Sequence, residues 1–144
     1  MIHVNSVTSA VFSLLASDPV MVSSAYTVQE GEPFNMSLDY TPWVGLYYGD
    51  LTIAPHTLGA ERPWQAELDI FLYIQEGSHR SGLEATRLLA MAQSRVLEVL
   101  AGDRTLGGSV ETLASLTVSP FQRDLAEDTW FFTNEIALKA ILRG

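Results

Sequence analysis

The sequence predicts an α+β fold: an antiparallel sheet of four to five strands, with a main helix at about residues 81–101 and an N-terminal helix packed on it. Three observations predict it. Residues 64–75, "WQAELDIFLYIQ", alternate with period two, as a strand with one face on a core must. Between "SGLE" and Gly102 the apolar residues switch to a helical period. A second long run, "TWFFTNEIALKAIL" (129–142), is again strand-like, and no regular helical crossovers separate the strand-like runs, as a parallel sheet would need.

Each element follows in order. Ser6 is placed to cap a helix running to about Ser17, with Val7, Val11, Leu14 and Leu15 on one face. Asp18-Pro19 stops it, and "VMVSSA" has room for one more turn. Tyr26 to Glu30 reads as a short strand, residues 31–42 as a loop, and "WVGLYYG" (43–49) as a second strand bounded by Gly49-Asp50. Leu51 to Pro63, with Pro55, Gly59 and Pro63, reads as a second loop, long enough to be functional or mobile. In the third strand Trp64, Ala66, Leu68, Ile70, Leu72 and Ile74 make one apolar face. The other face begins acidic at Glu67 and Asp69 and turns aromatic at Phe71 and Tyr73, so only half of it is expected to meet water.

Ser81 and Glu84 have the spacing of a capping box. In the helix that follows, Ala85, Leu88, Leu89, Ala92, Val96, Val99 and Leu100 form a broad apolar stripe. Opposite it, Leu83, Ala90 and Leu97 fall seven residues apart and form a narrower seam, which either packs under the N-terminal helix or meets another chain. "DRTLGG" (103–108) is a turn, 109–118 a strand and 120–128 a connection. In the last strand Trp130, Phe132, Ile136, Leu138, Ala140 and Leu142 line the inner face.

The length fits one domain over residues 1–144. The charged fraction is 17%, below the roughly 25% usual for soluble domains. With three Trp, this predicts surface hidden in a partner. There is no Cys, which excludes disulfides, thiol catalysis and thiolate-bound zinc. The net charge is −9, and it is unevenly placed: residues 1–79 carry nine acidic groups against Arg62, residues 80–144 eight against seven basic. That balance opposes nucleic-acid binding, which needs a basic stripe, and suits a surface from which DNA must slide free. No stretch is apolar enough to span a membrane, and the N-terminal run lacks the basic flank of a signal peptide. Asn35-Met36-Ser37 is a sequon in spelling alone.

Candidates for chemistry are few. His3, His56 and His79 fit no metal-ligand spacing. His79 lies near Glu76 and Glu84 in sequence and could join an acid–base group, although a loop histidine before a capped helix is ordinary. Ser81 lacks the glycine-framed elbow of a nucleophile, and Gly107-Gly108 precedes a strand and is no phosphate loop. Glu67 and Asp69 share one strand face, as paired carboxylates would, but more often such a pair is a solvated face. Trp43, Trp64, Trp130, Phe131 and Phe132 are expected in the core, with an interface role the alternative for Phe131. The expectation is that no residue is catalytic and that no metal or cofactor is bound.

The order "AELDIFLYIQE", "SGLEATRLLAMAQSRVLEVLAGDRTLGGSVETL", "FFTNEIALKAIL" resembles the tail terminators, or tail-completion proteins, of long-tailed bacteriophages, including related minor tail proteins and gene-transfer-agent homologues. The resemblance covers about residues 64–142. It implies a subunit of a hexameric ring in the virion's tail-neck region, assembled in the host cytoplasm. Such a ring caps the tail tube protein, meets a head-completion or connector protein, and lets DNA pass without specific binding. From the residue pattern itself, Leu83, Arg87, Ala90, Arg95 and Leu97 are the expected subunit interface, and Glu67 and Asp69 are expected to face the channel. The alternatives are another ring-forming neck component, such as a head-completion or stopper protein, a dimeric binding module, or a small hydrolase or ligand-binding domain using Glu67, Asp69 and His79.

Overall fold

The computed structural model describes residues 4–23, 26–30, 43–55, 64–77, 82–120, 122–126 and 129–143. His3, His56, His79, Ser81 with its capping box, and the 31–42 loop lie outside those residues. The chain forms α1 (Val4–Ala16), α2 (Pro19–Ser23), β1 (Thr27–Glu30), β2 (Trp43–Pro55), β3 (Trp64–Gly77), α3 (Gly82–Gly102), β4 (Thr112–Val118), β5 (Gln122–Ala126) and β6 (Thr129–Arg143). The class is the expected α+β. The six described strands form one sheet in the order β1-β2-β3-β6-β4, with β5 also on β6.

The sheet departs from expectation in four places. First, β1 runs parallel to β2, with Thr27 opposite Trp43, so the sheet is not wholly antiparallel. Second, Gly49-Asp50 does not end β2. The register shifts between Tyr48 and Leu51, so the pair is a bulge, and Leu51 to Pro55 continue the strand opposite Leu68 to Trp64. A Cβ on Gly49 would stand 2.5 Å from Phe71 Cε2, so the ring covers the glycine. Third, the 120–128 connection contains β5, which pairs with Thr129–Thr133 of β6 while β4 pairs with the rest of the same edge. The two strands are one edge bent at Pro120, where Asn134 Nδ2 donates to Ser119 O at 2.7 Å. Fourth, the strand expected from residue 109 begins at Thr112, because Val110 N still donates to Thr105 O within the turn.

The turn itself holds Leu106, Gly107 and Gly108 at positive φ. Leu106 tolerates this because its side chain is buried in the core, and Asp103 Oδ2 accepts from Gly107 N at 2.9 Å. At the other end of the chain, α1 starts at Val4, so Ser6 lies inside the helix and does not cap it. Asp18-Pro19 both stops α1 and starts α2: Asp18 Oδ2 accepts from Met21 N, and proline takes the first helical position.

Of the described helices, α1 and α3 lie on one face of the sheet, and α2 packs against both of them. α3 covers β3 and β6, and α1 lies beside it over β1 and β2. Beneath them Ala66, Leu68, Ile70, Leu72 and Ile74 are fully buried, as are Val7, Val11 and Leu15 above. On α3, Ala85, Leu89, Ala92, Val96 and Leu100 complete the core, whereas Leu88 is 40% exposed and stands outside it. Phe132, Ile136, Leu138, Ala140 and Leu142 fill the inner face of β6 as expected. The side chains of Trp64 and Trp130 lie outside the described residues. Phe131 is buried within the subunit, as the core expectation has it and the interface alternative does not. At the same end Tyr26, desolvated by burial and donating to Glu76 Oε1 at 2.8 Å, has its phenol pKa pushed well up.

Candidate assembly surfaces

The five residues expected at an interface all lie on α3, but the structure separates them. Helical spacing puts Leu83, Arg87 and Ala90 on the side turned away from the sheet, and all three are exposed. Leu97 is half-buried and packs against the core. α1 therefore does not cover the Leu83–Ala90–Leu97 seam as a whole. Its C-terminal end meets α3 on another side, at Arg95.

Arg95 is committed within the subunit. Its guanidinium grips Asp18 with two nitrogens, Nε reaching Oδ2 at 2.9 Å, and Nη1 reaches Glu98 at 3.3 Å. The Asp18 side chain is 5% exposed, and the hydrogen bond from Arg95 holds its carboxyl below the usual aspartate range against the opposing effect of burial. This pair ties the α1–α2 corner to α3, which is a sufficient reason for an arginine at 95. The sequence could not show it, because the two residues stand 77 positions apart.

The apolar exposure on the helix layer is elsewhere. Leu83 is 64% and Met91 69% exposed, and Arg87 lies between them, so residues four apart make one ridge along α3. Val20 and Val22 on α2 are exposed as well. Met91 drew no notice in the sequence because a single methionine in a helix carries no spacing signal.

The opposite face of the sheet carries the remaining candidates. Glu67 and Asp69 are half-buried on it. Lys139 Nζ lies 3.6 Å from Glu67 Oε2, and Lys139 stands opposite Asp69 in the register, so the acidic patch is partly neutralised. Beyond it, the rings of Tyr47 and Phe71 stack at 5.1 Å between centroids and those of Tyr47 and Tyr73 at 5.4 Å. Tyr47 and Tyr73 share a hydroxyl hydrogen bond of 3.1 Å. That bond, followed by one to Glu135, pushes the Tyr73 pKa well up. The aromatic turn of this strand face was legible in the sequence, but the stack was not: Tyr47 joins it only through the β2–β3 register, with Tyr47 opposite Phe71.

Among the described residues no group of three His, Asp or Glu could hold a metal. None of the described helices is long and apolar enough to cross a membrane.

No protein-family model matches the chain, and no curated protein does. A solved structure does. One chain of the structure described as "Virion of native gene transfer agent (GTA) particle" matches with a TM-score of 0.54 at 15% identity, over 95% of this chain and 94% of that one. The two share a fold.

Proposed function

We propose that this chain is a structural virion protein of a phage-like particle, a tail terminator that forms a hexameric ring in the neck. The observation that carries the reading is the end-to-end fold match with a chain of a gene transfer agent virion. The residue pattern over 64–142, which resembles the tail terminators, supports it independently of that match. In this reading the ring sits on the last ring of the tail tube protein, ends tube growth and meets a head-completion or connector protein. DNA passes through the lumen without specific binding, past Glu67 and Asp69. No catalysis is part of the role, and no cofactor is called for.

Heterologous contacts, in which two different patches meet, generate rings where the rotation between copies closes. The helix layer and the outward sheet face supply two such different patches. Particles assembled without the chain should show tails of uncontrolled length, unjoined to heads, in electron micrographs. Normal-length tails joined to filled heads would overturn the reading. Normal-length tails beside heads that have lost their DNA would identify a head-completion or stopper protein instead.

A further inference from the structure

We propose that the Leu83–Arg87–Met91 ridge of α3 in one copy docks on the Tyr47–Phe71–Tyr73 stack of the next, with Arg87 against Glu135. The inference rests on the ring reading and names the two faces that meet.

The two surfaces complement one another in shape and charge. The ridge is two exposed apolar side chains with a guanidinium between them. The stack presents polarizable rings, on which a thioether and a guanidinium both pack favourably. Among the described side chains of the sheet's outward face, Glu67, Asp69 and Glu135 outnumber the one cation, Lys139, so a guanidinium brought by a neighbour is favoured there. Arg87 supplies one. Arg95 cannot, because Asp18 and Glu98 hold it. The carboxylates beside the ridge do not spoil the match: Glu98 is taken up by Arg95, and Glu84 sits in the first helical turn, where the helix dipole favours it.

The same docking explains why one face of β3 changes character along its length. The aromatic half would lie beneath the neighbour, and the acidic half, at Glu67 and Asp69, would emerge at the lumen. A self-to-self contact of either surface would bring two arginines or two acidic faces together. The complementarity therefore favours a head-to-tail arrangement over a two-fold dimer.

The absence of cysteine makes the test direct. One copy carries Met91→Cys, at a site exposed enough to leave the fold intact. A second carries Ala137→Cys, opposite Phe71 in the register. Under mild oxidation on assembled rings, disulfide dimers should form in the mixture and in neither variant alone, and the double variant should give a ladder ending at the ring size. Self-linking of Met91→Cys would overturn the proposal. Rings that assemble with no mixed link would overturn it too, while leaving the ring reading in place. A chain that stays monomeric both alone and on purified tail tubes would end both. As a second arm, Arg87→Glu should weaken assembly at least about tenfold, and Glu135→Lys should restore it. Equal assembly by Arg87→Glu and the unmodified protein would remove Arg87 from the contact.

Discussion

The two faces of β3 are built from alternate residues of one strand, yet they have opposite fates. Ala66, Leu68, Ile70, Leu72 and Ile74 are sealed beneath α3 and fully buried. Glu67, Asp69, Phe71 and Tyr73, one residue out of step, are only half-covered. The first face is closed by this chain's own helices. The second carries rings and carboxylates, and it is the face that the proposed assembly would close. The difference separates residues that hold the subunit together from those that the proposal leaves to join it to others.

The contrast is broken most severely from the covered side. Leu72→Ala should cost about 2–5 kcal/mol, because the site is fully buried between sheet and helix and cannot collapse freely. Tyr73→Ala, one residue along on the other face, should leave the isolated subunit folded and chiefly impair assembly. Urea unfolding of the two variants measures the difference. Similar large losses of stability in both would mean that the second face is also structural.

A second test concerns how the helix layer is fastened. The Asp18 carboxyl has its pKa lowered in the fold, chiefly by its hydrogen bond from Arg95. Its contribution is therefore fully present above the unfolded aspartate pKa near 4, and is lost as the pH falls through the lower folded value. Asp18→Asn should reduce the urea midpoint at pH 7 and flatten this part of the acid limb, so that variant and parent converge toward pH 3. A gap near zero from pH 7 to pH 3 would show that Asp18 acts through capping α2, which asparagine does as well, and not through its charge.

A smaller effect is expected at the bulge. Gly49→Ala would drive a methyl group against the Phe71 ring and should cost about 1–2 kcal/mol as the ring shifts. Combining it with Phe71→Ala should recover part of that cost, since the two sites are in contact. Strict additivity in the double variant would show that the stack does not lean on the glycine.

How much of this was readable beforehand follows the same division. The covered face was legible because period-two and period-3.6 patterns depend only on neighbours along the chain. β3, α3 and the inner face of β6 were therefore placed well, apart from Leu88. The bulge at Gly49-Asp50 read as an end because glycine beside aspartate is also turn chemistry, and only the partner strand distinguishes the two. β5 was missed because "QRDLA" is short and charged and becomes a strand through its hairpin with β6. The exposure of Leu83 and Arg87 on α3 is legible from helical spacing, but the pairing of Arg95 with Asp18 is not, because the two are remote in sequence. The Tyr47–Phe71–Tyr73 stack needs the strand register, which no local pattern encodes.

The smallest expected effect on stability lies at the acidic end of the bare face, and it probes function most directly. Glu67 and Lys139 are each more than 40% exposed, and ion pairs of that kind contribute about 0–1 kcal/mol. Replacing both Glu67 and Asp69 by lysine should therefore leave the subunit folded and, if the ring is held at the aromatic stack, leave rings intact. On the proposed reading, the change would convert the lumen's edge from a surface that repels phosphates into one that binds them. DNA release from particles should then be slower at low salt than at high salt, whereas release from unmodified particles should lack that dependence. Unchanged release would take Glu67 and Asp69 out of the channel. Rings that fail to form would instead place the two carboxylates inside the contact, extending it along the whole of β3.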